Sequence, residues 1–241
     1  MEAFVISLAD SLDRRKKVKD ILDKHHIHFN FIDGVDGRKG NHPLLEKYNE
    51  KEFLFNYGRK AAPGEIGCYA SHMLAWQKCV DLNQSIIVFE DDLSIKDGVL
   101  EAFSASEKVI DKYGFIRLET TNKKPQYKVA TVDGMTLSNF LKVPQCATCY
   151  AISPTTAKAF LDNSQEICLP VDVFIRNVWM HKQAIYGLEP YFVSASGEES
   201  IIGKRKRSQK KSISTRIICL AYKLRNMTGN FLSQISFYLS R

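Results

Sequence analysis

Residues 85–92 read SIIVFEDD, an apolar run that ends in three consecutive carboxylates, Glu90, Asp91 and Asp92. Such a run predicts a strand buried on both faces. Residues two apart in an extended chain project from one face, so Glu90 and Asp92 are expected to point together beyond the strand end, with Asp91 turned the other way. Two hard oxygen ligands side by side suit Mn²⁺ or Mg²⁺ holding a diphosphate. In open α/β sheets the ligand crevice lies beyond the carboxyl ends of the strands, which is where these residues fall. The same stretch also fits a plainer role, with Asp91 or Asp92 as the N-cap of a helix formed by IKDGVLEAFSASEKVI. Both readings stand on this stretch alone.

The elements that must position these carboxylates are legible upstream. Residues 3–8 read as a buried strand, 13–25 as a helix and 29–32 as a second strand, closed by Asp33-Gly34 and Asp36-Gly37 turn signals. This β-α-β opening is the start of a nucleotide-binding α/β layer. Residues 38–62 are polar and predict a loop with a short helix near 44–51. From Pro63 the pattern is helical: Glu65 suits the positive end of the dipole, and Ile66, Ala70, Met73, Leu74 and Val80 recur at helical spacing. Glu65, Cys68, His72, Trp76 and Cys79 share an adjacent face. Taken alone, His72 reads as a satisfied helix histidine.

Downstream, a helix to about 113 is expected, then strands at 115–119, 127–132, 140–143 and 147–152. A serine-capped helix follows in SPTTAKAFLDN and a single helix in LPVDVFIRNVWMHKQ, with Asp172 in its first turn. AIYGLEPYFVSAS closes the fold as strand and loop.

The 241 residues are 44% hydrophobic and 25% charged, ordinary globular material. The opening residues fit neither a signal nor a transit peptide, and no window approaches the roughly 20 apolar residues of a membrane span, so a cytoplasmic protein is expected. The six cysteines are expected reduced and packed in the core, since Cys146 and Cys149 supply half a zinc site at most. Of the net charge of +7, ten Lys or Arg and no acid lie in 204–241, leaving 24 basic against 27 acidic residues in the first 203. The chain therefore divides into a slightly acidic unit, 1–203, and a basic tail, 204–241. KRKRSQKK carries no interleaved aromatics, which favours no specific nucleic acid. No Walker-type phosphate loop accompanies the carboxylates, as a nucleotidyltransferase would lead one to expect. In the tail, Ile213, Ile217, Leu220, Leu224, Met227 and Phe231 recur at spacings of three and four, predicting a basic amphipathic helix interrupted near Gly229. It either packs back on the rest of the chain or holds the protein peripherally on an anionic membrane surface, at the inner face of the cytoplasmic membrane.

PGEIGCYASHMLAW at 63–76, followed by FEDD at 89–92, resembles glycosyltransferase family 25, the lipooligosaccharide biosynthesis galactosyltransferases of Gram-negative bacteria. ISLADSLDRR resembles the family's first strand and arginine-bearing turn, with Ser7 where many members have asparagine. LPVDVFI and EPYFVSAS with Glu199-Ser200-Ile201 resemble its later landmarks. The resemblance implies a GT-A-like α/β fold with a mixed central sheet flanked by helices. It also implies a UDP-sugar donor, UDP-galactose foremost, Mn²⁺ or Mg²⁺ on Glu90 and Asp92, and inverting transfer to a lipid-linked oligosaccharide acceptor. Ser7, Leu8, Arg14, Arg15, Asp33, Asp36, Glu65, His72 and Asp91 are the expected donor-side residues. Inversion needs a base for the acceptor hydroxyl; the candidates are Asp172 first, then Glu119, Glu198 and Glu199.

Overall fold

A computed structural model of the chain describes residues 1–197 and 212–239. Its main sheet has eight strands in the order β2-β1-β3-β8-β5-β9-β7-β6. These are β1 (Glu2–Ser7), β2 (Asn30–Asp33), β3 (Ile86–Glu90), β5 (Phe115–Arg117), β6 (Gln126–Val132), β7 (Met135–Phe140), β8 (Cys149–Ile152) and β9 (Tyr186–Glu189). A separate antiparallel pair joins β4 (Leu93–Ile95) to β10 (Val193–Ala195). β1 runs parallel to both β2 and β3, whereas β8 is antiparallel to β3 and to β5, so the sheet is mixed. The helices are α1 (Leu12–Lys24), α2 (Glu50–Tyr57), α3 (Pro63–Leu82), α4 (Val99–Glu107), α5 (Ile110–Tyr113), α6 (Pro154–Asp162), α7 (Val171–Arg176), α8 (Val178–His181) and α9 (Ile213–Leu239). Two apolar layers lie on the two faces of the sheet. One is built on Trp76, Phe160 and Phe174 with Phe4 and Tyr150, the other on Leu22, Phe89 and Phe103 with Val5 and Ile116.

The chain passes from β1 to β2 on one side and then through α3 to β3 on the other. β1 is therefore a point where strand order reverses, and a crevice opens at the carboxyl ends of β1 and β3. Two glycines let the 34–38 loop lie flush on α3. A Cβ on Gly67 would sit 2.4 Å from the Val35 carbonyl oxygen, and one on Gly37 would sit 1.9 Å from that of Pro63. Val35 N–H donates to Ser71 Oγ at 2.8 Å, pinning the loop to the helix.

Several expectations are corrected. The strand expected at 140–143 is instead β7, because Asp133 and Gly134, both at positive φ, turn β6 back into a hairpin. No helix follows Asp92 directly: β4 intervenes to pair with β10, and α4 starts after Gly98, so the capping role for Asp91 or Asp92 is excluded. The helix expected in LPVDVFIRNVWMHKQ is two, broken at Asn177 (φ −84°, ψ 67°). α9 is not interrupted at Gly229. Glycine is needed there because a Cβ would meet Trp179 Cγ at 2.7 Å, so the residue read as a helix breaker is a point of close packing. The basic run 204–211 lies outside the described residues, and α9 docks on α2 and α8.

Candidate active site

At the carboxyl ends of β1 and β3 is a cavity of about 230 Å³. Its walls are Ser7 and Leu8 from the end of β1, Arg14 from the first turn of α1 and Asp36 and Arg38 from the loop after β2. Cys68, Ser71 and His72 come from α3, and Glu90, Asp91 and Asp92 from the end of β3. All three carboxylates line it. The expectation that Asp91 faces away fails because the extended geometry stops at Glu90, and the bend at 91–92 turns both aspartates inward.

The three acids are held differently. Glu90 Oε1 lies 3.4 Å from His72 Nε2, and Thr148 Oγ1 donates to Oε2 at 3.4 Å. Burial alone would raise this carboxyl, but His72, Thr148 and Arg14 outweigh it and hold it below its ordinary value. Ser7 Oγ donates to Asp91 at 2.6 Å and Arg14 Nη1 lies 3.0 Å from it, yet burial and the neighbouring Glu90 leave Asp91 raised. Asp92 is pushed up to about 6, by burial first and then by the charge of Glu90. Asp91 and Asp92 share one guanidinium, that of Arg14, and the charge of Glu90 raises both, an arrangement a divalent cation would relieve.

His72 is oriented from behind. The Trp76 indole N–H can only donate, and it donates to Tyr150 Oη at 3.0 Å. The Tyr150 hydroxyl proton then goes to His72 Nδ1 at 2.9 Å, which leaves the imidazole proton on Nε2, facing Glu90. The reverse tautomer would orphan the tyrosine proton and set a lone pair against a carboxylate. The relay Trp76–Tyr150–His72–Glu90 thus fixes a carboxylate at the cavity wall from a fully buried side.

Arg14 carries a second feature. Its Nη2 is buried and makes no hydrogen bond, although it stands 3.5 Å from Asp92. A buried guanidinium N–H without an acceptor, on the wall of a cavity, suits an anionic oxygen entering from that cavity.

Of the expected donor-side residues, Ser7, Leu8, Arg14, Asp36, His72 and Asp91 line the cavity with Glu90 and Asp92. Three do not. Arg15 donates to the backbone carbonyls of Ser7 and Leu8 at 2.9 and 3.1 Å and pairs with Asp33, so it shapes the end of β1 from outside. Asp33 is 73% exposed at the surface end of that pair. Glu65 is buried at the start of α3, where it accepts from Ala62 N–H at 2.9 Å and from both Arg59 Nη atoms at 2.6 Å, a capping and anchoring role. Among the base candidates, Glu119 is fully buried against Arg117 (Nε–Oε1 2.8 Å), whose other donors hold the carbonyls of Pro144 and Cys146. That is a structural ion pair away from the cavity. Asp172 sits in the first turn of α7, close enough for its charge to act on the Cys68 thiol. Glu198 and Glu199 lie outside the described residues.

Cys68, Arg38 and Ser71 on the cavity wall, and Tyr150 behind His72, are functional positions that the sequence pattern does not assign; it places Cys68 in the core. Its own signal was its place on the helix face shared with Glu65 and His72. Arg38, which chelates Asp36 at 2.8 and 2.7 Å, was signalled only by its place beside the Asp-Gly turn.

Cys68, His72 and Glu90 also bring three ligand atoms within 4.8 Å of one another. Burial first, then Glu90, Asp172 and Asp92, push the Cys68 thiol well above its usual range, and His72 Nε2 is occupied by its proton. The hard carboxylates Glu90 and Asp92 fit Mn²⁺ or Mg²⁺ better than this mixed set does.

The family model for glycosyltransferase family 25 (LPS biosynthesis protein) matches residues 1–175. The chain belongs to glycosyltransferase family 25. Within that family it is 27% identical over 205 residues to the lipooligosaccharide biosynthesis protein lic2B of Haemophilus influenzae, covering 78% of this chain and 73% of that protein. It is 31% identical over 186 residues to the inactive glycosyltransferase 25 family member 3 of Mus musculus, covering 72% of this chain and 31% of the other. It is 34% identical over 98 residues to procollagen galactosyltransferase 1-A of Xenopus laevis, covering 38% of this chain and 16% of the other. The chain spans about a third of the length of the mouse relative and 73% of that of the Haemophilus protein. Among solved structures it overlaps a Drosophila beta-1,4-galactosyltransferase 7 mutant in complex with manganese, UDP-Gal and xylobiose. The TM-score is 0.38 at 11% identity, over 90% of this chain and 78% of the other, too loose a likeness to bear on chemistry.

Proposed function

We propose that this family 25 chain is an active, metal-dependent glycosyltransferase that moves a hexose from a UDP-sugar, with galactose the sugar the resemblance favours, to a hydroxyl of a lipid-linked oligosaccharide, with inversion. The observation that carries the reading is the cavity at the ends of β1 and β3, which unites Glu90, Asp91 and Asp92 with a buried Arg14 Nη2 that stands 3.5 Å from Asp92 and makes no hydrogen bond. Its carboxylates suit a cation and the Arg14 guanidinium beside them an anion, which together describe a metal diphosphate.

Glu90 and Asp92 are the residues that would hold the ion, which when bound would neutralise charge developing on the diphosphate. Arg14 binds a phosphate oxygen through Nη2 while its Nη1 stays on Asp91. Ser7 keeps Asp91 turned toward Arg14, and the His72 relay keeps Glu90 in place. Asp36, chelated by Arg38 at the rim, is the carboxylate that meets the uridine or ribose hydroxyls. Asp172, on α7, takes the proton of the acceptor hydroxyl.

An inactive member of the family is the second reading, motivated by the mouse relative's description. Four carboxylates and two arginines gathered at one cavity speak against it. The deciding experiment incubates the protein with a panel of UDP-sugars, with Mn²⁺ and with EDTA, and follows UDP release. Release from one sugar, abolished by EDTA, is the expected result; no release from any sugar in Mn²⁺ would sink the reading.

A further inference from the structure

α9 docks on the rest of the protein by the face that the apolar pattern did not mark. The contacts to the body combine hydrogen bonds and a close-packed glycine with aromatic packing, Tyr222 on Phe55, Tyr238 on Tyr127 and Phe237 against the apolar core. Tyr222 Oη donates to Glu52 at 3.1 Å, Asn226 to Asn56 at 3.3 Å and Asn230 to Asn177 at 2.8 Å, while Gly229 passes under Trp179 and Cys219 reaches the Leu54 carbonyl. The apolar stripe is left outside. Leu220 is 56% exposed, Phe231 66% and Leu239 75%, and Ile213, Ile217, Leu224 and Met227 are exposed with them.

At about 100° per residue, Ile213, Ile217, Leu220, Leu224, Met227 and Phe231 fall within about 40° of one line along the helix, and the docked residues fall on the opposite side. Arg216 and Lys223 flank the stripe on one side, whereas Arg225 belongs to the docked face, where its Nη2 donates to Asn56 Oδ1 at 3.1 Å and its guanidinium lies over the Tyr222 and Trp179 rings. α9 contains no Asp or Glu. Its 27 residues make a ridge about 40 Å long. Among the described residues no helix is long and apolar enough to cross a membrane, so the ridge can lie on a bilayer but not span it.

We propose that the outer face of α9 is a docking surface for an anionic lipid bilayer, with the stripe among the acyl chains and Arg216 and Lys223 at the headgroups. Charge selects this occupant. A second copy of α9 would bring cations against an acid-free helix, whereas anionic headgroups supply the opposite sign at the edge where Arg216 and Lys223 stand. An isolated amphipathic helix can choose between the body and the membrane; this one is placed to meet both, because the face opposite the stripe is already docked on α2 and α8. The proposal stands apart from glycosyl transfer, since bilayer binding is read without donor or acceptor.

The test is sedimentation of the full chain with phosphatidylcholine vesicles, with and without phosphatidylglycerol. The wild type should bind the anionic vesicles, more weakly as salt rises. The variant L220Q/L224Q/F231Q should bind them about tenfold or more weakly, with an unchanged circular dichroism spectrum. Should that variant fail to fold, R216E/K223E alters only the flank and should lower binding to anionic vesicles several-fold. Equal binding of wild type and R216E/K223E, or no binding by the wild type, overturns the proposal. So does a wild-type dimer that L220Q/L224Q/F231Q splits without any change in vesicle binding, which would assign the face to a second copy or another protein.

Discussion

Arg14 Nη1 stands 3.0 Å from the Asp91 carboxylate while its Nη2, on the same side chain, has no hydrogen-bond acceptor. The Asp91 pair fixes the guanidinium, and Nη2, 3.5 Å from Asp92, keeps unused hydrogen-bonding capacity. The first helix of the fold is tied by this contact to the end of its third strand, across the cavity mouth.

Arg14→Lys keeps the charge and loses the fork, so one amine must choose between Asp91 and the ligand. UDP affinity should fall about tenfold, read by isothermal titration in Mn²⁺. Wild-type affinity in this variant would remove Arg14 from the diphosphate site.

Asp92 makes the free protein pH-sensitive in a direction that can be worked out. Its folded value of about 6 is above the ordinary 3.8, so its ionisation costs stability. The cost is absent below the ordinary value, grows as pH rises through this window and is complete above about 6. Asp92→Asn removes it, a gain of about 1–2 kcal/mol at neutral pH once partial exposure is allowed for, or about 2–6 °C in Tm without metal. The same variant should lose the rise in Tm that Mn²⁺ gives the wild type above pH 6. Differential scanning fluorimetry with and without metal reads both, and a full Mn²⁺ response in Asp92→Asn would contradict the ligand assignment.

Tyr150→Phe deletes the proton given to His72 Nδ1 and leaves the Trp76 indole N–H buried without an acceptor. The stability loss should be about 1–3 kcal/mol in chemical denaturation. If the relay positions Glu90, Mn²⁺ affinity should fall as well, whereas Trp76→Phe, which leaves the Tyr150–His72 bond in place, should leave metal binding near wild type. Equal metal affinity in Tyr150→Phe and wild type would reduce the relay to packing.

Asp172→Asn and Glu119→Gln separate a base from a structural acid. Asp172→Asn should lower kcat by about 10²-fold or more with UDP binding unchanged. Glu119→Gln should instead leave Arg117 buried without its counter-charge and cost about 3–5 kcal/mol, visible as a Tm lower by about 10 °C. A thermally stable Glu119→Gln with the kcat of a base mutant would reverse the two roles.

What could be read along the chain were features carried by near neighbours. The buried strand that ends in 90–92, the helix start at Pro63, the serine cap before α6 and the amphipathic period of α9 each depend on residues within a few turns or pleats of one another. The PGEIGC and FEDD stretches also marked the family. Partner choice could not be read this way, because it is made between residues far apart in sequence. Glu65 and Glu119 look as available as Glu90 in a linear chain, and Arg59 and Arg117 remove them from the site. Asp91 joins the cavity because β3 stops one residue before it, where pairing with β1 ends at Glu90. Tyr150 reaches His72 from 78 residues away only because β8 lies beside β3. The periodicity of α9 located its apolar stripe, but which face the body takes was decided by tertiary contacts, the hydrogen bonds of Tyr222, Asn226 and Asn230 and the packing of Gly229 on Trp179 and of Tyr222 on Phe55, and they took the face opposite the stripe.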